Sequence, residues 1–177
     1  MVGRSNVGKS SLINALTRQQ LARTSAAPGK TRLANFFRVR RGSAPAFYLV
    51  DLPGYGYARG GGPAAQEFGR LTDAYFARSS CAARPDGKPI AAILLVDARH
   101  PGLDSDIEAW KWLKSQPCSR GVVGTKADKL TRAEQIRHAR EFQSLFDGPV
   151  ALVSARTGEG LDELWKMIAR LPSQTAA

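Results

Sequence analysis

The stretch GRSNVGKSSLINAL (Gly3–Leu16) constrains this chain more than any other feature. Its first eight residues, Gly3, Arg4, Ser5, Asn6, Val7, Gly8, Lys9 and Ser10, satisfy the spacing G-x-x-x-x-G-K-[ST]. The glycines let the backbone curl until successive N–H groups face one anion. Such a loop hangs between a strand that feeds it and a helix whose positive end completes the anion site. That helix is predicted to begin near Ser10, with Ser11 in its first turn. Lys9 is placed to reach the β- and γ-phosphates of a nucleotide, and the Ser10 hydroxyl to ligate Mg²⁺. The spacing alone leaves ATPases, kinases and GTPases open.

Downstream spacing separates these classes. YLVDLPG (Tyr48–Gly54) ends an apolar run on Asp51 and passes through Leu52 and Pro53 to Gly54. A carboxylate at a strand terminus is placed to hold Mg²⁺ through water, and Gly54 lets its backbone N–H approach the γ-phosphate. GTKADKL follows a short apolar run, giving Thr125, Lys126, Ala127 and Asp128 in that order. Asp128 can accept from both the ring N–H and the exocyclic amine of guanine; adenine offers no such pair, so a buried carboxylate rejects it. The aliphatic stem of Lys126 can lie on the base. In VSARTGEG, after the last apolar run, Val153 and Ser154 lead to Ala155, whose N–H can point at the guanine O6. PGKTR sets Gly29, Lys30 and Thr31 in a loop, where Thr31 can give Mg²⁺ a second hydroxyl.

The rest of the chain supplies a scaffold for these motifs. Apolar runs at Phe47–Val50, Ile90–Val96, Val122–Val123 and Val150–Val153 read as buried strands, and Arg32–Arg41 as an extended edge strand. Helices are predicted at Ser10–Arg18, Ala64–Ser79, Asp104–Ser115, Thr131–Phe146 and Leu161–Leu171. Asp104–Ser115 carries acids in its first turn and a lysine in its last, and Thr131–Phe146 opens on a Thr-x-x-Glu capping box. Strands alternating with helices imply an α/β, three-layer P-loop NTPase fold, its mostly parallel sheet covered on both faces. Ligands then sit at the carboxyl ends of the strands. One domain over residues 1–172 and a frayed tail at 173–177 are expected.

Charge is unevenly spread. The chain of 177 residues has 26 Lys+Arg against 15 Asp+Glu, a net charge of +11. Residues 1–84 hold 13 basic and 3 acidic side chains, and residues 85–177 hold 13 and 12. A positive first half draws phosphate, first of a nucleotide and then of a nucleic acid. No apolar run is long enough to span a bilayer. Cys81 and Cys118 fit no metal spacing and read as reduced thiols of a cytosolic protein.

Taken together, GRSNVGKSSLINAL, PGKTR…NFF, VDLPGYGYA, LLVDARHPGLDSD and TKADKL resemble the EngB/YihA family of the TrmE–Era–EngA–EngB group of P-loop GTPases. In that family a Thr replaces the usual Asn of the guanine motif, so Thr125 is expected. VSAR is closer to the general GTPase Ser-Ala-Lys pattern than to this family's version. The resemblance implies assembly of the large ribosomal subunit, a link to division septation and a cytoplasmic, monomeric protein. The family also carries a segment before the loop, with the strand that feeds it. Here only Met1 and Val2 stand there, so the first strand is expected to be largely missing and the natural protein longer. That strand should lie in mid-sheet beside the Asp51 strand.

Tyr55 follows Gly54, where many GTPases carry a glutamine that orients the attacking water. Slow hydrolysis is therefore expected, with GTP holding switch segments around Thr31 and Asp51–Gly60. Asn6 can substitute electrostatically by holding K⁺ near the phosphates, or can simply tolerate the loop's backbone. Lys30, Arg32, Arg38, Arg40, Arg41 and Arg59 lie in or beside these segments and are the expected contacts to ribosomal RNA. Two other classes remain: an ATPase or phosphotransferase on the same loop, and an RNA-binding structural protein with a vestigial nucleotide site.

Overall fold

The computed structural model describes residues 1–22, 33–55, 72, 75–76 and 90–171. The strands are β1 (Val2–Gly3), β2 (Asn35–Val39), β3 (Phe47–Asp51), β4 (Ala91–Asp97), β5 (Ser119–Thr125) and β6 (Val150–Leu152). The helices are α1 (Lys9–Thr17), α2 (Asp104–Lys114), α3 (Arg132–Leu145) and α4 (Leu161–Arg170), with a 3₁₀ turn at Ala127–Lys129. Of the helix expected at Ala64–Ser79, Thr72, Tyr75 and Phe76 are helical, and the other positions lie outside the described residues. Gly29, Lys30, Thr31, Arg32, Arg59, Cys81 and the tail also lie outside them.

β1, β4, β5 and β6 form a parallel sheet in that order, and β2 pairs antiparallel with β3. Main-chain bonds join the two pieces. The Met1 ammonium donates to the Val50 carbonyl, and Leu52 N–H donates to Met1 O at 3.4 Å. Further on, Ser5 N–H donates to Tyr55 O at 3.0 Å, within a parallel bridge of Arg4 with Tyr55. β1 thus lies between β3 and β4, where the motif order places it. Its two residues pair with Leu94 and Leu95 only, whereas β4 pairs along its whole length with β5.

Alternation along β4 divides the core between the two faces. Ile93 and Leu95 pack with Leu12, Ile13 and Leu16 of α1 and Leu164 and Met167 of α4. Ala92, Leu94 and Val96 pack with Trp110 and Leu113 of α2 and Phe142 of α3. β5 is longer than its apolar run because Gly121 and Gly124 are packing positions. A Cβ at Gly124 would stand 2.4 Å from Leu152 Cδ2, and one at Gly121 would stand 3.0 Å from Met167 Sδ. The strand gives up side-chain volume there so that its neighbours can close on it.

Two local devices fix where the helices begin and end. Thr131 and Glu134 form the expected capping box, with Thr131 N–H donating to Glu134 Oε2 at 2.8 Å. At the end of α1, Arg18 turns left-handed (φ 53°). Asn14, buried on α1, then takes both main-chain groups of Ala22, each at 2.8 Å.

Leu94 is fully buried and faces Val2 on one side and Val122 on the other. Leu94→Ala should lower unfolding stability by about 2–5 kcal/mol through lost burial and the cavity left behind. Urea denaturation should show a lower midpoint at unchanged slope.

Candidate functional site

The glycine loop leaves β1 at Gly3 and enters α1 at Lys9. Two residues in it take left-handed backbone, Asn6 at φ 62° and Gly8 at φ 106°. Asparagine tolerates that region, and glycine occupies it freely. The first α-helical bond is Leu12 N–H to Gly8 O at 2.9 Å, and no side chain caps Gly8. The amides of Lys9, Ser10 and Ser11 precede that bond and belong to the helix's positive end.

A loop that turns its amides inward turns its carbonyls outward, and side chains meet them. Lys9 Nζ donates to Gly3 O at 3.0 Å and Arg4 O at 3.1 Å. Thr125 Oγ1, at the end of β5, donates to Val7 O at 2.6 Å and also lies 3.2 Å from Val96 O. Lys126 Nζ donates to Asn6 O at 2.8 Å. Lys126 reaches back because its own backbone is left-handed, φ 61°. Burial pushes the Lys9 ammonium down to about 8, against the attraction of Asp51.

Asp51 ends β3 beneath the loop. Ser10 Oγ donates to Asp51 Oδ2 at 3.3 Å, while Asp51 Oδ1 is buried with no hydrogen-bond partner among the described residues. Burial raises the Asp51 carboxyl, Lys9 opposing. A serine oxygen beside an orphaned carboxylate oxygen suits a hard divalent cation such as Mg²⁺. No cluster of three or more His, Cys, Asp or Glu among the described residues could hold a metal alone. An ion here therefore needs water or phosphate oxygens as well, the usual Mg²⁺ arrangement. Leu52 and Pro53 are buried and lead to Gly54, which touches the loop. A Cβ on Gly54 would stand 2.7 Å from Ser5 N and 2.9 Å from Lys9 Nζ.

The far end of the site is built around Asp128. Ser154 Oγ donates to Asp128 Oδ1 at 2.7 Å, and Arg156 Nε to Asp128 Oδ2 at 2.7 Å. These two bonds hold the carboxyl below its usual range. Ala127 N–H donates to Val153 O at 3.0 Å, binding the two guanine-type motifs together. Ala155 shares a cavity of about 410 Å³ with Ser11, Asn14 and Arg18 of the first helix region. A larger cavity of about 600 Å³, between α3 and α4, contains none of the loop residues.

Three side chains of this neighbourhood lie within quoted motifs but were assigned no role in the site. Asp97, at the end of β4, accepts from Lys126 Nζ at 3.0 Å and Arg99 Nη2 at 2.7 Å. Burial works against ionisation there, but Arg99 and Lys126 outweigh it and hold the carboxyl well below the ordinary range. Asp106 is fully buried in the first turn of α2, where it accepts from Arg4 Nε at 3.0 Å and Tyr55 Oη at 2.7 Å. Burial and the Asp106 charge hold the Tyr55 phenol protonated far above its usual range. Asp106 shares the inward stripe of Trp110 and Leu113, and that spacing was the available signal. The third is Arg156, which covers the Asp128 carboxylate.

The family described as "50S ribosome-binding GTPase" matches residues 1–124. A probable GTP-binding protein EngB from Geobacillus kaustophilus is 42% identical over 170 residues, covering 93% of this chain and 82% of that protein. Among solved structures, Era in complex with MgGDPNP and nucleotides 1506–1542 of 16S ribosomal RNA superposes with a TM-score of 0.77 at 22% identity. That match covers 96% of this chain and 54% of the other. NFeoB from S. thermophilus, bound to GDP·AlF4⁻ and K⁺, superposes with a TM-score of 0.70 at 20% identity, covering 99% of this chain and 62% of that one. These two likenesses bear on the fold, a P-loop GTPase domain with the loop at the carboxyl ends of parallel strands. With its motifs in order along that fold and a relative this similar over nearly its whole length, the chain belongs to the EngB family of GTP-binding proteins.

Proposed function

We propose that this protein is a slow GTPase switch acting in assembly of the large ribosomal subunit. One observation carries the nucleotide reading: Thr125 and Lys126 fasten the Asp128 pocket directly to the glycine loop. A base recognised at one end and a polyphosphate cradled at the other then belong to one molecule. In this reading Asp128 accepts from the guanine ring N–H and amine, Lys126 lies on the base, and the Ala155 N–H faces O6. Thr125 and Ser154 hold the pocket in shape, with Ala127 and Val153 as its main-chain supports. Each Asp128 oxygen accepts one bond, from Ser154 or from Arg156, and has a second lone pair for a guanine donor.

At the phosphate end, the loop from Gly3 to Ser11 would enclose the anion with the amides of Lys9, Ser10 and Ser11 towards it, and the Lys9 ammonium, with three donors, would reach phosphate while keeping Gly3 O. Ser10 and Thr31 would hold Mg²⁺ directly and Asp51 through water; the orphaned Asp51 Oδ1 supports this assignment. When bound, the ion neutralises charge on the β- and γ-phosphates. GTP would hold the segment around Thr31, with Gly29 and Lys30, and the segment Asp51–Gly60, with Leu52, Pro53 and Gly54, and hydrolysis would release both. Tyr55 cannot orient water as an amide would, and its hydroxyl is committed to Asp106, which supports slow turnover. K⁺ held by Asn6 would supply the missing positive charge. The K⁺ in the NFeoB structure favours that reading.

Ribosomal RNA, reached through the positive first half, is the proposed partner, supported by the family description and the charge division. Among the described residues no helix is long and apolar enough to cross a membrane. We place the protein in the cytoplasm as a monomer, with the link to cell division and septation that the family carries.

Asp128→Asn tests the function. GTP affinity should fall about 100-fold or more, and xanthosine triphosphate, with an oxygen in place of the guanine amine, should become the better ligand. Unchanged GTP binding, measured by competition with a fluorescent nucleotide, would overturn the assignment. K⁺ should accelerate hydrolysis over Na⁺ at matched ionic strength by about tenfold, one 1.4 kcal/mol step of barrier. Asn6→Ala should erase the difference, and equal rates in the two salts for the unaltered protein would leave Asn6 a backbone residue only.

A further inference from the structure

The β2–β3 hairpin presents a face that the nucleotide reading does not use. Its register sets Phe36 opposite Val50 and Arg38 opposite Tyr48, so Phe36, Arg38 and Tyr48 project to one side. Val50 on that side is buried in the core, but Phe36 is 60% and Tyr48 61% exposed. Arg38 and Arg40 are exposed too, as is Leu33 just before the strand. Single exposed apolar side chains are ordinary. Two aromatic rings at diagonal positions with an arginine beside them form a local arrangement of a particular kind. Diagonal neighbours lie about 7–8 Å apart, within reach of successive nucleotides of one extended strand.

Charge decides what such a face accepts. Residues 33–50 contain Arg38, Arg40 and Arg41 and no Asp or Glu. Arg41 is committed elsewhere, to Asp162 at 2.9 Å and over the Trp165 ring at 5.2 Å. Arg38 and Arg40 have no acidic partner among the described residues. Phe36 is also steadied from behind, its ring 6.3 Å from that of Tyr75, which packs on Phe76 and through it on Trp112 of α2. Flat rings on a sheet, flanked by guanidinium groups without an acidic partner among the described residues, suit bases that are unstacked and phosphates that follow them. Duplex RNA hides its base faces, and an apolar protein surface would leave both arginines uncompensated.

We propose that the Phe36–Arg38–Tyr48 face is a stacking platform for unpaired bases of single-stranded RNA, with Arg38 and Arg40 on the adjoining phosphates. The proposal deepens the ribosomal reading by giving the partner's contact site, and it rests on that reading only for the source of the RNA.

The test uses the whole chain loaded with GDP and two labelled 12-nucleotide probes, an oligoadenylate and its abasic counterpart, titrated by fluorescence anisotropy. The unaltered protein should bind the oligoadenylate about tenfold or more tightly than the abasic strand. Phe36→Ala with Tyr48→Ala should bring the two probes level, while Phe36→Trp with Tyr48→Trp keeps the preference. Arg38→Gln with Arg40→Gln should weaken both probes and flatten the salt dependence. Retained binding of a fluorescent GDP shows that each variant is folded. Equal binding of the two probes by the unaltered protein, or a preference that survives the double alanine change, would overturn the platform. Co-sedimentation with large subunits tests the source separately. If the double alanine variant loses the oligoadenylate preference yet still sediments with subunits, the platform stands and the ribosomal source falls.

Discussion

Inward amides require outward carbonyls, and this rule of the glycine loop organises the neighbourhood. Gly3 O and Arg4 O are met by Lys9, Asn6 O by Lys126 and Val7 O by Thr125. Gly3 O and Val7 O are buried, where a carbonyl without a donor costs more than a hydrogen bond gains. The ends of β4 and β5 therefore have to lie where they do, and Asp97 follows because Lys126 needs a charge to hold it. The pocket around Asp128 is thus built on the same residues that keep the loop curled.

The same neighbourhood manages an excess of positive charge. Three carboxylates, Asp51, Asp97 and Asp106, stand at strand ends and a helix start, and each lies near a lysine or arginine from the loop or from β5's end. Their environments differ. Asp97 keeps its charge firmly because two donors share it, while Asp51 and Asp106 each have an oxygen without a bond. For Asp51 that oxygen is the one left for the proposed cation. For Asp106 it is the residual cost of tying Arg4 and Tyr55 to one helix.

Much of this was legible in the sequence, because the motifs are local. The glycine loop, Asp51 with Gly54, and Thr125 to Asp128 each lie within seven or eight residues, and an α/β alternation sends all of them to the same edge of the sheet. Partners across the fold were less legible. Asp106 reads as a helix-dipole acid until Arg4 and Tyr55, distant in sequence, are seen to converge on it. Arg156 reads as a variant of a lysine until its contact with Asp128 is known. β5 reads as two valines because its glycines carry no apolar signal, although Met167 and Leu152 fill the space they leave.

Asn14 has a consequence of a mechanical kind. Its amide binds both main-chain groups of Ala22, as a neighbouring strand would, and so acts as a clamp across the end of α1. Whatever conformation the chain adopts beyond Ala22 starts from a fixed anchorage. One side-chain amide thus fixes where the chain stands as it leaves the helix.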